Sequence, residues 1–135
     1  MTELRVCFDL PLPPGVNNQY STVNGRRVLS SQARNWKRRA LHELIGVFLP
    51  EFQEQARSGY LALFMDFYFE SPLRRDLDGG LKITQDTICE ALGVDDRRVV
   101  DIHLVKRIDP LRPRVTVEVE TFLTWSFDDE HPVIH

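Results

Sequence analysis

Apolar and polar positions alternate at the start of the chain, with Leu4, Val6, Phe8 and Leu10 set against Arg5, Cys7 and Asp9, the pattern of a half-buried strand. The alternation stops in PLPPGVNNQYSTVNG, a stretch rich in Pro, Gly and Asn that reads as loop. Within it Asn24-Gly25 is a hairpin turn signal and predicts a small hairpin over residues 20–29. Ser30 or Ser31 then serves as an N-cap. Trp36, Ala40, Leu44, Val47 and Phe48 recur at helical spacing, predicting a helix to about Leu49. Pro50 should kink or end it, with a further helical stretch to Ala56 before Gly59. Residues 60–70 (YLALFMDFYFE) are aromatic-rich and of strand length, as expected for the middle of a sheet. Asp76 to Leu92 reads as a second helix stopped by Gly93, and residues 99–108 and 114–123 read as strands joined as a hairpin through IDPLRP. This order of elements predicts an α+β fold, a small mixed β-sheet packed against two main helices.

Composition adds little to that picture, and charge placement adds more. With 135 residues, 42% apolar and 27% charged, the chain fits one globular domain over residues 1–124, followed by an acidic, mobile tail over 125–135. No apolar run approaches the ~20 residues that span a bilayer, and Met1-Thr2-Glu3 lacks the basic start of a signal peptide. A cytoplasmic protein with Cys7 and Cys89 reduced is therefore expected. The net charge of −3 is mildly unfavourable for a nucleic-acid binder, yet the bases come in clusters such as Arg26-Arg27, Lys37-Arg38-Arg39, Arg74-Arg75 and Arg97-Arg98. A local basic surface can coexist with an acidic total.

The segment that carries chemistry is Arg74-Arg75-Asp76-Leu77-Asp78-Gly79-Gly80-Leu81-Lys82, followed by Asp86 and by Asp95-Asp96. Asp-x-Asp at a strand-to-helix junction can aim two carboxylates at one point, where they repel unless a cation neutralises them. Mg²⁺ suits such hard oxygen donors, and Asp95 or Asp96 could complete the group if the helix end returns nearby. Leu77, Leu81, Thr84, Ile88 and Leu92 form the core face of this helix, while Asp78, Lys82 and Asp86 lie along another stripe. A lysine one turn from a metal-binding aspartate can offset charge that builds on a phosphoryl group. The same residues also fit a plain reading: a loop with an N-cap, and a surface Asp78–Lys82 pair worth ~0.3–0.5 kcal/mol. A calcium loop is excluded, because Gly80 and Thr87 cannot supply the ligands that the EF-hand pattern needs there.

At this segment the sequence resembles the RusA family of Holliday junction resolvases. The resemblance rests on Arg75-Asp76-Leu77-Asp78, on Lys82 four residues later, and on the Asp-Asp-x-x-Val-Val-Asp stretch from Asp95 to Asp101. An early loop, Pro13-Pro14-Gly15-Val16-Asn17-Asn18 followed by Tyr20, is also similar, and the likeness runs from about Leu10 to Glu120. It implies a compact α+β homodimer, bacterial or phage-encoded, that nicks opposed strands of a four-way junction with Mg²⁺, Mn²⁺ being a possible substitute. By position it implies Asp76, Asp78 and Asp96 as metal ligands and Lys82 as catalytic base or charge stabiliser. Gly79 stands where the family usually has an asparagine.

Arg34, Lys37, Arg38 and Arg39 occupy the opening turns of the first helix, where the helix dipole disfavours cations and a phosphate partner would favour them. Arg74, Arg75, Arg97 and Arg98 bracket the carboxylates and could form a basic rim for DNA. Phe64, Phe67, Tyr68 and Phe69 fit core or dimer interface better than base stacking. Two other functions suit the same residues: a non-catalytic, structure-specific DNA-binding protein, and a phosphohydrolase acting on another nucleic-acid structure.

Overall fold

The computed structural model describes residues 4–15, 18–73 and 76–126. Among these described residues, six strands and three helices follow one another in the order β1 (Leu4–Pro11), β2 (Tyr20–Val23), β3 (Arg26–Leu29), α1 (Ser31–Glu43), α2 (Pro50–Ser58), β4 (Tyr60–Phe69), α3 (Leu81–Leu92), β5 (Val99–Ile108) and β6 (Arg114–Phe122). Short 3-10 turns over Leu77–Gly80 and Asp96–Arg98 flank α3. The fold is α+β with a mixed sheet, as expected, but three helices pack on it where two main ones were predicted.

The main sheet has the order β1-β6-β4-β5, with β4 antiparallel to β6 and parallel to β5. Parallel neighbours need a crossover, and the stretch containing α3 supplies it. Central placement of β4 matches its composition: Leu61, Leu63, Met65, Phe67 and Phe69 are each at most 2% exposed. They form one core with Leu10, Trp36, Phe48, Phe52, Ile88, Leu92 and the inward valines of β6. Phe64, Asp66 and Tyr68 alternate onto the opposite face and are half-buried. Thus Phe67 and Phe69 are core, whereas Phe64 stacks on His103 and Tyr68 carries the Arg114 guanidinium at 3.8 Å.

Two expectations are corrected. Residues 109–113 do not close a hairpin, because β4 lies between β5 and β6. Instead the loop steps across the end of β4, and Asp109 donates its backbone N–H to the Phe69 carbonyl at 2.8 Å. The α3 crossover makes β5 run alongside β4, so β6 can reach β4 only from the other side. The first helix ends at Glu43 and not near Leu49. Leu44 caps it, Gly46 adopts φ 77° in the following turn, and Pro50 opens α2 as its first residue. Proline here starts a helix with its preset φ and does not kink one.

The predicted hairpin forms with Asn24 and Gly25 both at positive φ, the geometry that a two-residue turn demands. It stands as its own two-stranded sheet apart from the main one. Its foot is tied down by Gln19, which is 2% exposed. Gln19 Nε2 donates to the Pro14 carbonyl at 2.9 Å and to the Gly79 carbonyl at 2.6 Å, while its own carbonyl accepts from Ser30 N at 2.8 Å.

Candidate active site

The Asp-x-Asp segment enters α3 through a 3-10 turn, with Asp76 at its N-cap position and Asp78 inside it. Gly80 is what lets this turn pack closely. A Cβ on Gly80 would lie 2.7 Å from Pro13 Cγ and 3.0 Å from Phe67 Cε1, so only glycine lets the early loop and the core close on the turn. Gly79 gives its carbonyl to the buried Gln19. Asp76 makes no side-chain capping bond. Asp76 and Asp78 are exposed, and neither carboxylate has a side-chain or backbone partner among the described residues. The capping role available to Asp76 is therefore not used.

At the far end, Gly93 ends α3 in the left-handed conformation (φ 73°) and turns the chain back. That reversal brings Asp96 to Lys82, fourteen residues away in sequence. Lys82 Nζ donates to Asp86 Oδ1 at 2.9 Å and to Asp96 Oδ2 at 3.2 Å. Its hydrogen bonds, first to Asp86 and then to Asp96, raise the ammonium pKa above its ordinary value. The lysine side chain stays 63% exposed, so these pairs add at most about 1 kcal/mol and the fold does not depend on them. Beneath them lies Cys89, 3% exposed, whose pKa is pushed up to about 12 by burial and then by Asp96, Asp86 and Asp95. Asp95 serves differently. It caps the 3-10 turn by accepting Arg97 N at 2.9 Å, and the Arg97 backbone and side chain together hold its pKa down.

The structure thus unites Lys82, Asp86 and Asp96, and leaves Asp76 and Asp78, without a carboxylate partner among the described residues, on the turn that opens the same helix. Asp86 was visible in the sequence only as a member of the i, i+4 stripe; its contact with Lys82 makes it part of the cluster. Gln19, which ties the early loop to the Asp78 turn, had no sequence signal. Carboxylate oxygens are the donors a hard divalent cation takes, and in donor chemistry the set fits Mg²⁺. In geometry it is open: among the described residues no three Asp, Glu, His or Cys side chains are gathered as a ligand group.

The predicted DNA contacts are scattered by comparison. Arg34 donates to the Leu29 carbonyl at 2.5 Å, Arg38 to Asn35 Oδ1 at 3.3 Å, and Lys37 pairs with Glu90 of α3 at 3.4 Å. Arg97 folds onto Asp95, and Arg98 is half-buried, donating to the Gly59 carbonyl at 2.8 Å. Arg74 and Arg75 lie outside the described residues.

The crossover helix thus carries a lysine and a carboxylate that meet a second carboxylate from the turn beyond it. The chain belongs to the RusA family: the family described as endodeoxyribonuclease RusA matches residues 11–120. Membership implies an endonuclease of Holliday junctions. No curated protein matches the chain. Among the described residues no helix is long and apolar enough to cross a membrane.

Proposed function

We propose that the protein is a divalent-metal-dependent endonuclease that resolves Holliday junctions or other branched DNA by paired nicks in recombination and repair. The observation that carries this reading is the Lys82 ammonium held between Asp86 and Asp96, beside a turn bearing two exposed carboxylates. Asp76, Asp78 and Asp96 would hold Mg²⁺, with Mn²⁺ as substitute. When bound, the ion supplies a low-pKa water and polarises a phosphoryl oxygen.

The chain's own residues do the rest. The hydrogen bond from Lys82 to Asp86 favours the charged ammonium, and with it charge stabilisation over the role of a base. Its N–H groups are placed to meet the non-bridging oxygens or the departing oxygen, where negative charge grows. Asp86 keeps the ammonium in position when Asp96 is engaged elsewhere. The enzyme acts as a homodimer, so that two sites can address opposed strands, and it works in the cytoplasm of a bacterium or a phage-infected cell.

Single-turnover cleavage of a labelled junction by Asp96→Asn and Lys82→Met tests this assignment. Both should bind the junction and cut it at least ~10²-fold more slowly. Wild-type rates in either variant would remove that residue from the site.

A further inference from the structure

We propose that the β2–β3 hairpin is a DNA-gripping arm that holds the phosphodiester backbone of a duplex flanking the cut site. The proposal rests on the reading of branched DNA as substrate. Three observations support it. First, no Asp or Glu occurs between Asp9 and Glu43, while Arg26, Arg27, Arg34, Lys37, Arg38 and Arg39 all do. In a chain of net charge −3, this leaves the hairpin and the opening turns of α1 with bases and no acids of their own. Lys37 and Arg39 are ion-paired to Glu90 and Glu43, whereas Arg26, Arg27, Arg34 and Arg38 have no acidic partner among the described residues.

Second, the hairpin buries almost nothing. Every residue from Tyr20 to Val28 is exposed, it joins no strand of the main sheet, and Arg27 lies over the Tyr20 ring at 4.3 Å. A two-stranded element that contributes so little to the core has its outer surface available for a partner. A ribbon of this width suits a nucleic-acid groove, and arginines beside it suit phosphate.

Third, the arm is rooted in the catalytic turn. Gln19 bridges the hairpin's foot to the Gly79 carbonyl, one residue after Asp78, and Pro13 packs against Gly80. DNA held by Arg26 and Arg27 is thereby held at a set distance from the carboxylates.

The test is binding of the full chain to a labelled four-way junction in EDTA, by fluorescence anisotropy over a salt series. The double variant Arg26→Ala with Arg27→Ala is compared with Arg107→Ala with Arg112→Ala, which removes the same charge from ion-paired sites elsewhere. The hairpin variant should bind roughly tenfold or more weakly near about 0.1 M salt, with the salt slope reduced by about one per arginine. Lysine at both positions should restore most of the affinity. Equal losses in both double variants, or no loss in the hairpin variant while wild type binds, overturns the arm and leaves the nuclease reading standing. Absence of junction binding by wild type overturns both.

Discussion

Lys82 is the residue on which the proposed chemistry turns. Its hydrogen bonds to two carboxylates favour the charged form, which supports the proposed role of an ammonium that offsets developing charge. Asp86→Asn should slow cleavage less than Lys82→Met does, because the ammonium itself remains and loses only its positioning partner; equal losses in single-turnover rates would show that Asp86 has a separate function. Asp76→Asn or Asp78→Asn should abolish cutting and leave junction binding intact or tighter, as read by parallel cleavage and gel-shift titrations. Cys89 gives a pH signature. Its thiol ordinarily titrates near 9.0 and in the fold only near about 12, so the folded state keeps a proton that the unfolded state loses. Stability should fall as pH rises from 9 towards 12, and Cys89→Ala should flatten that part of the alkaline limb in thermal melts.

At the scale of elements, Ser30 caps α1 by accepting Ala33 N at 3.0 Å, and its hydroxyl also donates to the Asn18 carbonyl at 2.6 Å. Ser30→Ala should cost about 1 kcal/mol. Gly59→Ala should cost more, on the order of 3 kcal/mol, because a Cβ there would run into the Phe122 carbonyl. Chemical denaturation measures both. Elements with strong local signals were legible in the sequence: the Asn24-Gly25 hairpin, the apolar β4, and α3 with its Gly93 stop. The end of α1 was not, because Leu44 and Phe48 stay buried and Val47 partly buried after the helix has ended, and so prolong the apparent periodicity. Nor was the β5–β6 connection, since a short polar loop looks the same whether it joins neighbours or steps over a strand. Within the candidate site, spacing alone suggested Lys82 with Asp86. The approach of Asp96 depended on how Gly93 turned the chain, and Gln19 on a carbonyl sixty residues away.

For the whole molecule, charge is sorted more than it is scarce. The hairpin and most of α1 fall within an acid-free run from residue 10 to residue 42, while α3 and the turns beside it carry Asp76, Asp78, Asp86, Glu90, Asp95 and Asp96. An acidic total is thus compatible with a polyanionic partner whose grip weakens with salt. Paired nicking requires two sites, and sedimentation equilibrium should give twice the 15.7 kDa chain mass. A single-chain mass at working concentrations would leave one site per particle and rule out concerted cutting by a stable dimer. The central claim, metal-dependent cutting of branched DNA, is tested most directly by incubating the protein with a labelled synthetic four-way junction and a linear duplex of the same sequence, with Mg²⁺ and with EDTA. The account predicts symmetric nicks on opposed strands of the junction, only with metal, and an intact duplex. A junction that is bound yet uncut with Mg²⁺ and with Mn²⁺ would contradict it, leaving a DNA-binding protein in place of a nuclease.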